Sequence, residues 1–344
     1  MKTALQGIGG LLLAGLLLYW VFHDKDPKAL SAALMQASWP LLALGAFINL
    51  AHNVVRVFRW RRLLEPVRPH VPFRPMFSAV ILGFMTTLIV PGRVGELVRP
   101  ALLSARQDLP LGPCLGTVVA DRLLDGVAIV ALFVFGSFGA RFVAGSASLS
   151  AEIRLTAAIA LAAIVVGLVV LVAISTLGDR LDGWLSRRWA PVRWSGRAAL
   201  GLSRGADALR SPRHVVPILA DSLIIWLMIA LGTWIGVRAA GADVSFADSL
   251  VMLPLLALGV SLPTPGGVGG YHALMQFGLV SLFGVDPIVA AGAGILMHLA
   301  IVIPVLVAGP VLLYIEKVSW SDLVAAAKQV RALGRAQSPS EAAR

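Results

Sequence analysis

A short run in the first third of the sequence sets glycines beside opposite charges within an apolar stretch. It contains Gly92, Arg93, Gly95, Glu96 and Arg99. A helix that begins inside this run directs its free N–H groups and its dipole toward an anion. Glycine allows close approach to the backbone, and a guanidinium fork suits phosphate. We predict an anionic-headgroup site here; the alternative is a structural Arg–Glu latch at the membrane surface.

Three charged residues follow on the next apolar segment. Asp121 and Asp125 are four positions apart, so they share one face of a helix, and Arg122 lies on the adjacent face. We expect Arg122 to reach Glu96, and the two carboxylates to hold a cationic group or a coupling proton. The alternative is a buried network of ion pairs that fixes the preceding hairpin.

A polar stripe precedes the first run. Asn49, Asn53 and Arg56 recur at helical spacing, with His52 beside them. Asn53 and Arg56 are candidate substrate-binding residues that would line a cavity. The alternative is hydrogen bonding between helices, which we favour for Asn49.

A second glycine run lies in the last third of the sequence. We predict that Gly266, Gly267, Gly269, Tyr271 and His272 contribute the other half of the binding site. The glycines would again admit a headgroup to the backbone.

Further titratable residues stand in apolar surroundings. His272 and His298 can titrate near neutrality, and Asp221 is an isolated acid in its segment. Each is a candidate for proton coupling. The alternative for the histidines is packing between helices.

Enzyme signatures are missing from the sequence. There is no HExxH, G-x-S-x-G or P-loop motif, and Cys114 is the single cysteine. We therefore expect no catalytic residue, cofactor or metal, and we predict that the protein is not an enzyme.

Composition defines the elements that must position these residues. Of 344 residues, 58% are hydrophobic and 14% are charged, and the mean hydropathy is +0.85. A soluble globule cannot bury so much apolar surface. The apolar residues fall in blocks rather than in alternation, which predicts an all-α polytopic membrane protein.

The apolar blocks predict about six full spans and two broken segments. The spans lie near 5–22, 40–60, 114–137, 155–177, 214–237 and 287–315, and Gly and Pro interrupt the blocks near 76–112 and 248–283. The first block lacks a small-x-small cleavage site, so we interpret it as a retained helix rather than a signal peptide.

Lysine and arginine are unevenly distributed among the connections. There are six in 56–74, eight in 178–213 and five from Lys317 onward, against five in the other four connections together. The positive-inside rule places those three segments and both termini in the cytoplasm. The net charge of +11 is then a topology signal that implies no nucleic acid. Tryptophans among the arginines of 178–213 predict an interfacial linker.

The two broken segments resemble each other. Both contain P-G-x-V-G, and Pro265 follows Pro91 by 174 positions. Because each segment starts and ends on one side of the membrane, each is a hairpin, re-entrant or of two short spans. We predict one transmembrane domain, 1–318, with inverted repeats about 40–137 and 214–311, and a cytoplasmic tail 319–344 whose end is disordered. Inverted repeats with broken helices are typical of transporters.

The ordered motifs from about 10 to 318 resemble the lysylphosphatidylglycerol synthase transmembrane family, the flippase-like domain of bacterial multiple peptide resistance factors. The residues that carry the resemblance are Asn53, Arg56, Arg59, Trp60, Leu63 and Leu64, then Pro91–Glu96 and Arg99, then Asp121, Arg122 and Asp125, then Pro263–Gly269. In two-domain relatives a soluble aminoacyltransferase domain follows. None is expected here, so aminoacyl transfer is not expected either.

The resemblance implies a lipid translocase of the bacterial inner membrane. Its cargo would be an anionic phospholipid, aminoacyl-lipid, glycolipid or polyprenyl-phosphate, bound between the two hairpins. Two alternatives stay open: a secondary transporter of a small soluble anion or metabolite, and a non-transporting scaffold for enzymes of envelope-lipid modification. The sequence specifies neither the lipid nor the oligomeric state.

Overall fold

The computed structural model describes residues 2–90, 94–143 and 203–336, together with some residues within 155–177. All regular elements in these ranges are helical. The helices are α1 Lys2–Phe22, α2 Pro27–Met35, α3 Trp39–Leu64, α4 Phe73–Ile89, α5 Gly95–Gln107, α6 Leu111–Gly139, α7 Pro212–Ala239, α8 Phe246–Ser261, α9 Gly270–Phe277, α10 Pro287–Ile315 and α11 Trp320–Ala336.

Local sequence explains where several helices begin. Ser245 and Asp248 form a reciprocal capping box at the start of α8, and Asp286 accepts hydrogen bonds from two backbone N–H groups at the start of α10. Proline occupies the first turn of α10, where its missing N–H costs nothing.

Among the described residues, three helices, α3, α7 and α10, are long and apolar enough to cross a membrane. The pair α1 and α2, bent by 89°, passes the same test together, as a broken span or a re-entrant loop. The chain is thus a helical membrane protein. Within the predicted span 155–177, the described residues are helical up to Thr176.

Each hairpin consists of two helices that meet at a break. The first comprises α4 and α5, and the second comprises α8, a 3₁₀ turn at Pro265–Gly267, and α9, which continues as a π-helical segment, Gly278–Leu282. The two breaks touch, since a Cβ on Gly266 would lie 3.3 Å from the carbonyl oxygen of Leu88. Helix α1 packs against the second hairpin, with Gly269 next to Ala14.

The end of the predicted interfacial linker packs against the helix bundle. Residues Arg204–Arg210, at the end of the predicted interfacial linker, form a 3₁₀ helix whose Ala206 and Ala208 are fully buried. Its packing against α3 and α6 supplies the apolar contacts that an interface would otherwise supply. Residues 178–202 of the linker lie outside the described residues.

The predicted tail also contains a helix. Helix α11 extends to Ala336 and packs on α5, and its Leu323, Ala326 and Ala327 are buried. The described part of the predicted tail is therefore helical up to Ala336. Residues 337–344 lie outside the described residues.

Candidate functional site

A buried cluster of ion pairs, hereafter the arginine cluster, joins α3, α5 and α6. Its centre is Arg59, whose Nη2 lies 2.7 Å from an oxygen of Asp121 and 2.7 Å from an oxygen of Asp125. Asp121 is fully buried and Asp125 is 3% exposed. The two carboxylates therefore share one face of α6, as the i,i+4 spacing predicts.

Three more arginines complete this arrangement. Arg56 Nη1 lies 3.1 Å from Asp125 and 3.7 Å from Asp121, and Arg99 Nη1 lies 3.0 Å from Asp121. Arg122 Nη1 lies 3.2 Å from Asp125. Asp121 thus contacts cations from two other helices, α3 and α5, and holds the first hairpin to the bundle.

Neutral side chains hold the cluster in place. Trp226 of α7 donates a hydrogen bond from Nε1 to Asp125 at 2.9 Å, and Arg59 donates one to the hydroxyl of Ser222 at 2.9 Å. The guanidinium of Arg99 lies 4.0 Å from the ring centre of Trp60, within the range of a cation–π contact. Helix α7, from the second half of the sequence, thus contributes directly to a site built on α3, α5 and α6 of the first half.

The cluster reaches the surface at Glu96 and Arg122. Arg122 Nε lies 3.7 Å from Glu96 Oε2, so the expected contact is present, and their side chains are 35% and 26% exposed. Together with Gly83, Thr87 and Gly95 they line a small cleft.

Gly95 permits the tight packing of α5 on α4. A Cβ at this position would overlap the carbonyl oxygen of Gly83 and the side chain of Thr87. The glycine is thus required for contact between the two helices of the hairpin. It packs against α4 and also borders the small cleft at Glu96 and Arg122.

Donors outnumber acceptors in the cluster. Its described members are four arginines and three carboxylates, a net charge of +1. The Nε atoms of Arg56, Arg59, Arg99 and Arg122 are buried and have no hydrogen-bond partner in the structure, and neither does Nη2 of Arg99. One acceptor, Oδ1 of Asp121, also has no hydrogen bond, although it lies 2.7 Å from Nη2 of Arg59. Buried donors without acceptors are costly, so this arrangement is suited to receive an anion.

The structure corrects the assignment of two arginines. Arg56 and Arg59 contribute to the count of basic residues in a connection, but α3 continues to Leu64 and both are buried, at 3% and 0% exposure. Sequence reasoning missed Arg59 as a site residue, together with Ser222 and Trp226. The signal for Arg59 was its spacing of three from Arg56, which puts both on one helix face.

The remaining predicted residues of the first repeat are distributed as follows. Asn53 is 3% exposed and donates to the carbonyl oxygen of Leu50 at 3.0 Å. Asn49 donates to Gly45 of its own helix, so its hydrogen bond lies within α3 rather than between helices. Gly92 and Arg93 lie outside the described residues. Helix α5 begins at Gly95, inside the run where the sequence predicts a helix to start.

Asp221 is not the isolated acid that its sequence surroundings suggest. Its carboxylate pairs with the guanidinium of Arg62 on α3. The sequence could not indicate this pair, because 159 positions separate the partners.

Among the described residues, the break of the second hairpin has no ion cluster; the ion pair of this hairpin lies at the start of α8, where Asp248 is 3.5 Å from Arg141. Gly266, Gly267 and Gly269 adopt positive φ angles of 60°, 73° and 82°, which glycine tolerates best. Gly266 faces Leu88 and Gly269 faces α1, so both pack against protein. Tyr271 and His272 are buried, at 2% and 8% exposure, and lie next to His298 of α10.

Comparison with known proteins yields one family and several relatives. The model of the lysylphosphatidylglycerol synthase TM region matches residues 7–309. A protein named glycosyltransferase AglD, from Haloferax volcanii, is 25% identical over 85% of this chain and 51% of its own length. A UPF0104 membrane protein of Methanothermobacter thermautotrophicus is 24% identical over 85% of this chain and 88% of its own length.

A shorter match has the same description. A UPF0104 membrane protein of Methanocaldococcus jannaschii is 26% identical over 40% of each chain. The alignment therefore spans about half of AglD and less than half of the Methanocaldococcus protein.

Proposed function

We propose that this protein, which belongs to the lysylphosphatidylglycerol synthase transmembrane family, moves the anionic headgroup of a membrane lipid from one leaflet to the other. The observation that carries the proposal is the buried excess of guanidinium donors in the arginine cluster. The headgroup would bind there while its acyl chains stay in the bilayer.

The electrostatics of the cluster support an anionic ligand. Four arginines face three carboxylates, and four guanidinium Nε atoms have no acceptor in the structure. Phosphate oxygens accept several charge-assisted hydrogen bonds at once and match the planar fork of arginine. A phosphate would therefore satisfy donors that are costly in apolar surroundings.

Entry through Glu96 and Arg122 follows from their exposure. They are the cluster members with substantial access to the surface, at 26% and 35% of their side-chain area. An incoming phosphate would replace Glu96 as the anion next to Arg122 and then reach Arg99. Arg93, three positions before Glu96 in the sequence, is also predicted to bind phosphate and would add a further cation.

Helix bounds support the inverted repeat that we propose. Adding 174 to the bounds of α3 gives 213–238, against Pro212–Ala239 for α7, and the same shift takes α4 to 247–263, against Phe246–Ser261 for α8. The same shift takes α5 to 269–281, against 270–282 for α9 with its π-helical continuation. It takes α6 to 285–313, against 287–315 for α10. Each hairpin also packs on the last helix of the other repeat, α4 on α10 and α8 on α6.

Two packed hairpins whose breaks touch suggest how the cargo would cross. Opening the bundle at one hairpin would expose the cluster to one leaflet, and opening it at the other hairpin would expose it to the opposite leaflet. We place the basic segments and both termini in the cytoplasm, in accord with the positive-inside rule.

We propose transport without catalysis. Asp121 and Asp125 are each held by arginines, so neither is available as a general base in this arrangement. The glycosyltransferase activity in the name of AglD belongs to a protein of which this chain spans about half.

The test is lipid movement in reconstituted vesicles. Fluorescent phosphatidylglycerol in the inner leaflet becomes accessible to an external quencher only if it crosses. We expect rapid crossing with the wild-type protein and at least about tenfold slower crossing with Arg99→Gln, which removes one charged partner. Arg141→Gln, an exposed arginine outside the cluster, is the matched control.

Two further arms separate the alternatives. Uptake of radiolabelled phosphate into the same vesicles, without lipid movement, would favour a transporter of a soluble anion. Crossing no faster than in protein-free vesicles, for a panel of phospholipids and glycolipids, would reject translocation and favour a scaffold.

A further inference from the structure

The second hairpin contains a cluster of buried polar rings that the proposed phosphate site does not use. The rings of His272 and His298 have their centroids 4.8 Å apart, and Tyr271 lies 5.5 Å from His298. Phe22 of α1 contacts His272 edge-on at 6.3 Å. We name these residues the ring cluster.

Three polar side-chain atoms on α9 have no hydrogen-bond partner. They are the hydroxyl of Tyr271, Nδ1 of His272 and Oε1 of Gln276, each buried and without a hydrogen bond in the structure. Tyr271 and His272 are more than nine-tenths buried as whole residues. Native proteins rarely leave such atoms unpaired, because each costs on the order of 1–3 kcal/mol. The arrangement is therefore suited to a ligand with hydrogen-bonding groups.

The surroundings determine which ligand. Among the described residues, the ring contacts of His272 are with Phe22, Tyr271 and His298, and none of these is a carboxylate, lysine or arginine. A metal ion would bring charge into an apolar site without a counter-ion. A neutral ligand avoids that penalty.

The unpartnered atoms also specify the hydrogen bonds. Oε1 of Gln276 accepts, the Tyr271 hydroxyl donates and accepts, and Nδ1 of His272 does either according to its tautomer. A hydroxyl group donates and accepts as well, so several neighbouring hydroxyls can satisfy all three atoms. The flat faces of Tyr271 and Phe22 suit the carbon skeleton of a polyol or sugar.

We propose that the ring cluster binds an uncharged, hydroxyl-bearing group of polyol or sugar type. This inference rests on the proposed function in one respect: the group would belong to the headgroup whose phosphate binds the arginine cluster. The same chemistry is present in a free polyol, and the experiment separates these two sources.

The experiment compares two lipids with the same charge. Phosphatidylinositol and phosphatidylethanol both have a phosphodiester, but only the first has hydroxyls on its headgroup. In vesicles with the wild-type protein we expect phosphatidylinositol to cross about tenfold faster, as one well-made hydrogen bond predicts. Tyr271→Phe, which removes only the hydroxyl, should bring the ratio of the two rates to about one, and the ratio is read independently of the absolute rates.

The matched control is Tyr314→Phe on α10, because that tyrosine is 87% exposed. It should preserve the ratio. His272→Gln keeps a polar side chain and should reduce the ratio less than His272→Phe. Both histidine variants are compared by thermal unfolding with the wild type, so that a folding defect is recognised.

The outcomes are distinguishable. If both lipids cross at equal rates in the wild type, the ring cluster does not recognise hydroxyls and this inference is overturned while translocation stands. If neither lipid crosses, the proposed function fails. Binding of free radiolabelled inositol that Tyr271→Phe removes would support the site and assign it to a soluble polyol; absence of such binding, with the lipid ratio intact, assigns it to the headgroup.

Discussion

The two hairpins share their order of helices and differ in their chemistry. In the first, α5 contributes Glu96 and Arg99 to a buried network of ions. In the second, the corresponding helix α9 contributes Tyr271 and His272 to a group of uncharged rings. The same scaffold therefore provides a charged site at one break and a neutral polar site at the other.

This difference separates what the fold requires from what a ligand requires. Both breaks use small residues to let helices approach, as Gly95 does against Gly83 and Gly259 does against Gly270. Among the described residues, the excess of cations lies next to the first break. We infer that close packing belongs to the scaffold, whereas the side chains at each break determine what it binds.

The largest effect should come from the centre of the arginine cluster. Arg59→Ala leaves two buried carboxylates with fewer partners, which costs about 3–5 kcal/mol for a buried pair. We expect failure to express in folded form or a large fall in the unfolding midpoint in detergent. Arg61→Ala, on the same helix and outside the cluster, should behave as wild type. Equal stability of the two variants would contradict a central role for Arg59.

A smaller effect is expected where the first hairpin packs on itself. Gly95→Ala forces a Cβ into the carbonyl oxygen of Gly83, and overpacking of this kind costs about 1–3 kcal/mol. Gly292→Ala on α10 is the control, since its Cβ would meet a side-chain carbon at an ordinary 3.7 Å. Urea unfolding of both variants measures the difference, and an unchanged Gly95→Ala protein would show that α4 and α5 separate readily.

The charge at the mouth of the first hairpin should tune binding without unfolding the protein. Glu96→Gln raises the net charge of the described cluster from +1 to +2. We expect binding of short-chain phosphatidylglycerol to strengthen several-fold at low salt, and the gain to shrink at high salt as screening increases. An unaltered dissociation constant would show that Glu96 does not lie next to the bound anion.

The smallest effect concerns Glu316, which ties the first hairpin to the end of α10. Burial opposes ionisation, but hydrogen bonds from Arg74 and Ser78 and the nearby Arg106 hold the pKa of Glu316 below its usual value. Its stabilisation is therefore complete above the ordinary glutamate pKa of about 4.3 and is lost as the pH falls through the lower folded value.

Glu316→Gln should accordingly lower the unfolding midpoint by about 1–2 °C at pH 7, because Arg74 is an exposed partner. The gap should close on acidification below pH 4. A gap that widened with acid would contradict the sign of this linkage. Glu65→Gln, at the end of α3, serves as the control.

Much of the scaffold could be predicted because its signals are local. Hydrophobic blocks bounded by Pro, Gly and capping residues predicted α3, α6, α7 and α10 to within four residues, and the shared motif marked both breaks. The common face of Asp121 and Asp125 followed from helical periodicity alone. The contact between Arg122 and Glu96 also agreed with the sequence.

The pairing of the buried charges could not be predicted in the same way. An arginine near the end of an apolar helix has the same local sequence whether it meets headgroups or a buried carboxylate. Arg59 is 66 positions from Asp125, and Arg62 is 159 positions from Asp221. Only the packing of α3 against α6 and α7 distinguishes these cases, and that packing is non-local.

The central claim is that the arginine cluster binds an anionic headgroup, and ligand binding tests it most directly. Short-chain phosphatidylglycerol is titrated into the purified protein in nanodiscs of neutral lipid, as wild type, Arg99→Gln and Arg141→Gln. The account predicts about tenfold weaker binding for Arg99→Gln alone, with a wild-type affinity that falls as salt rises. Equal, salt-independent affinities for all three proteins would contradict it.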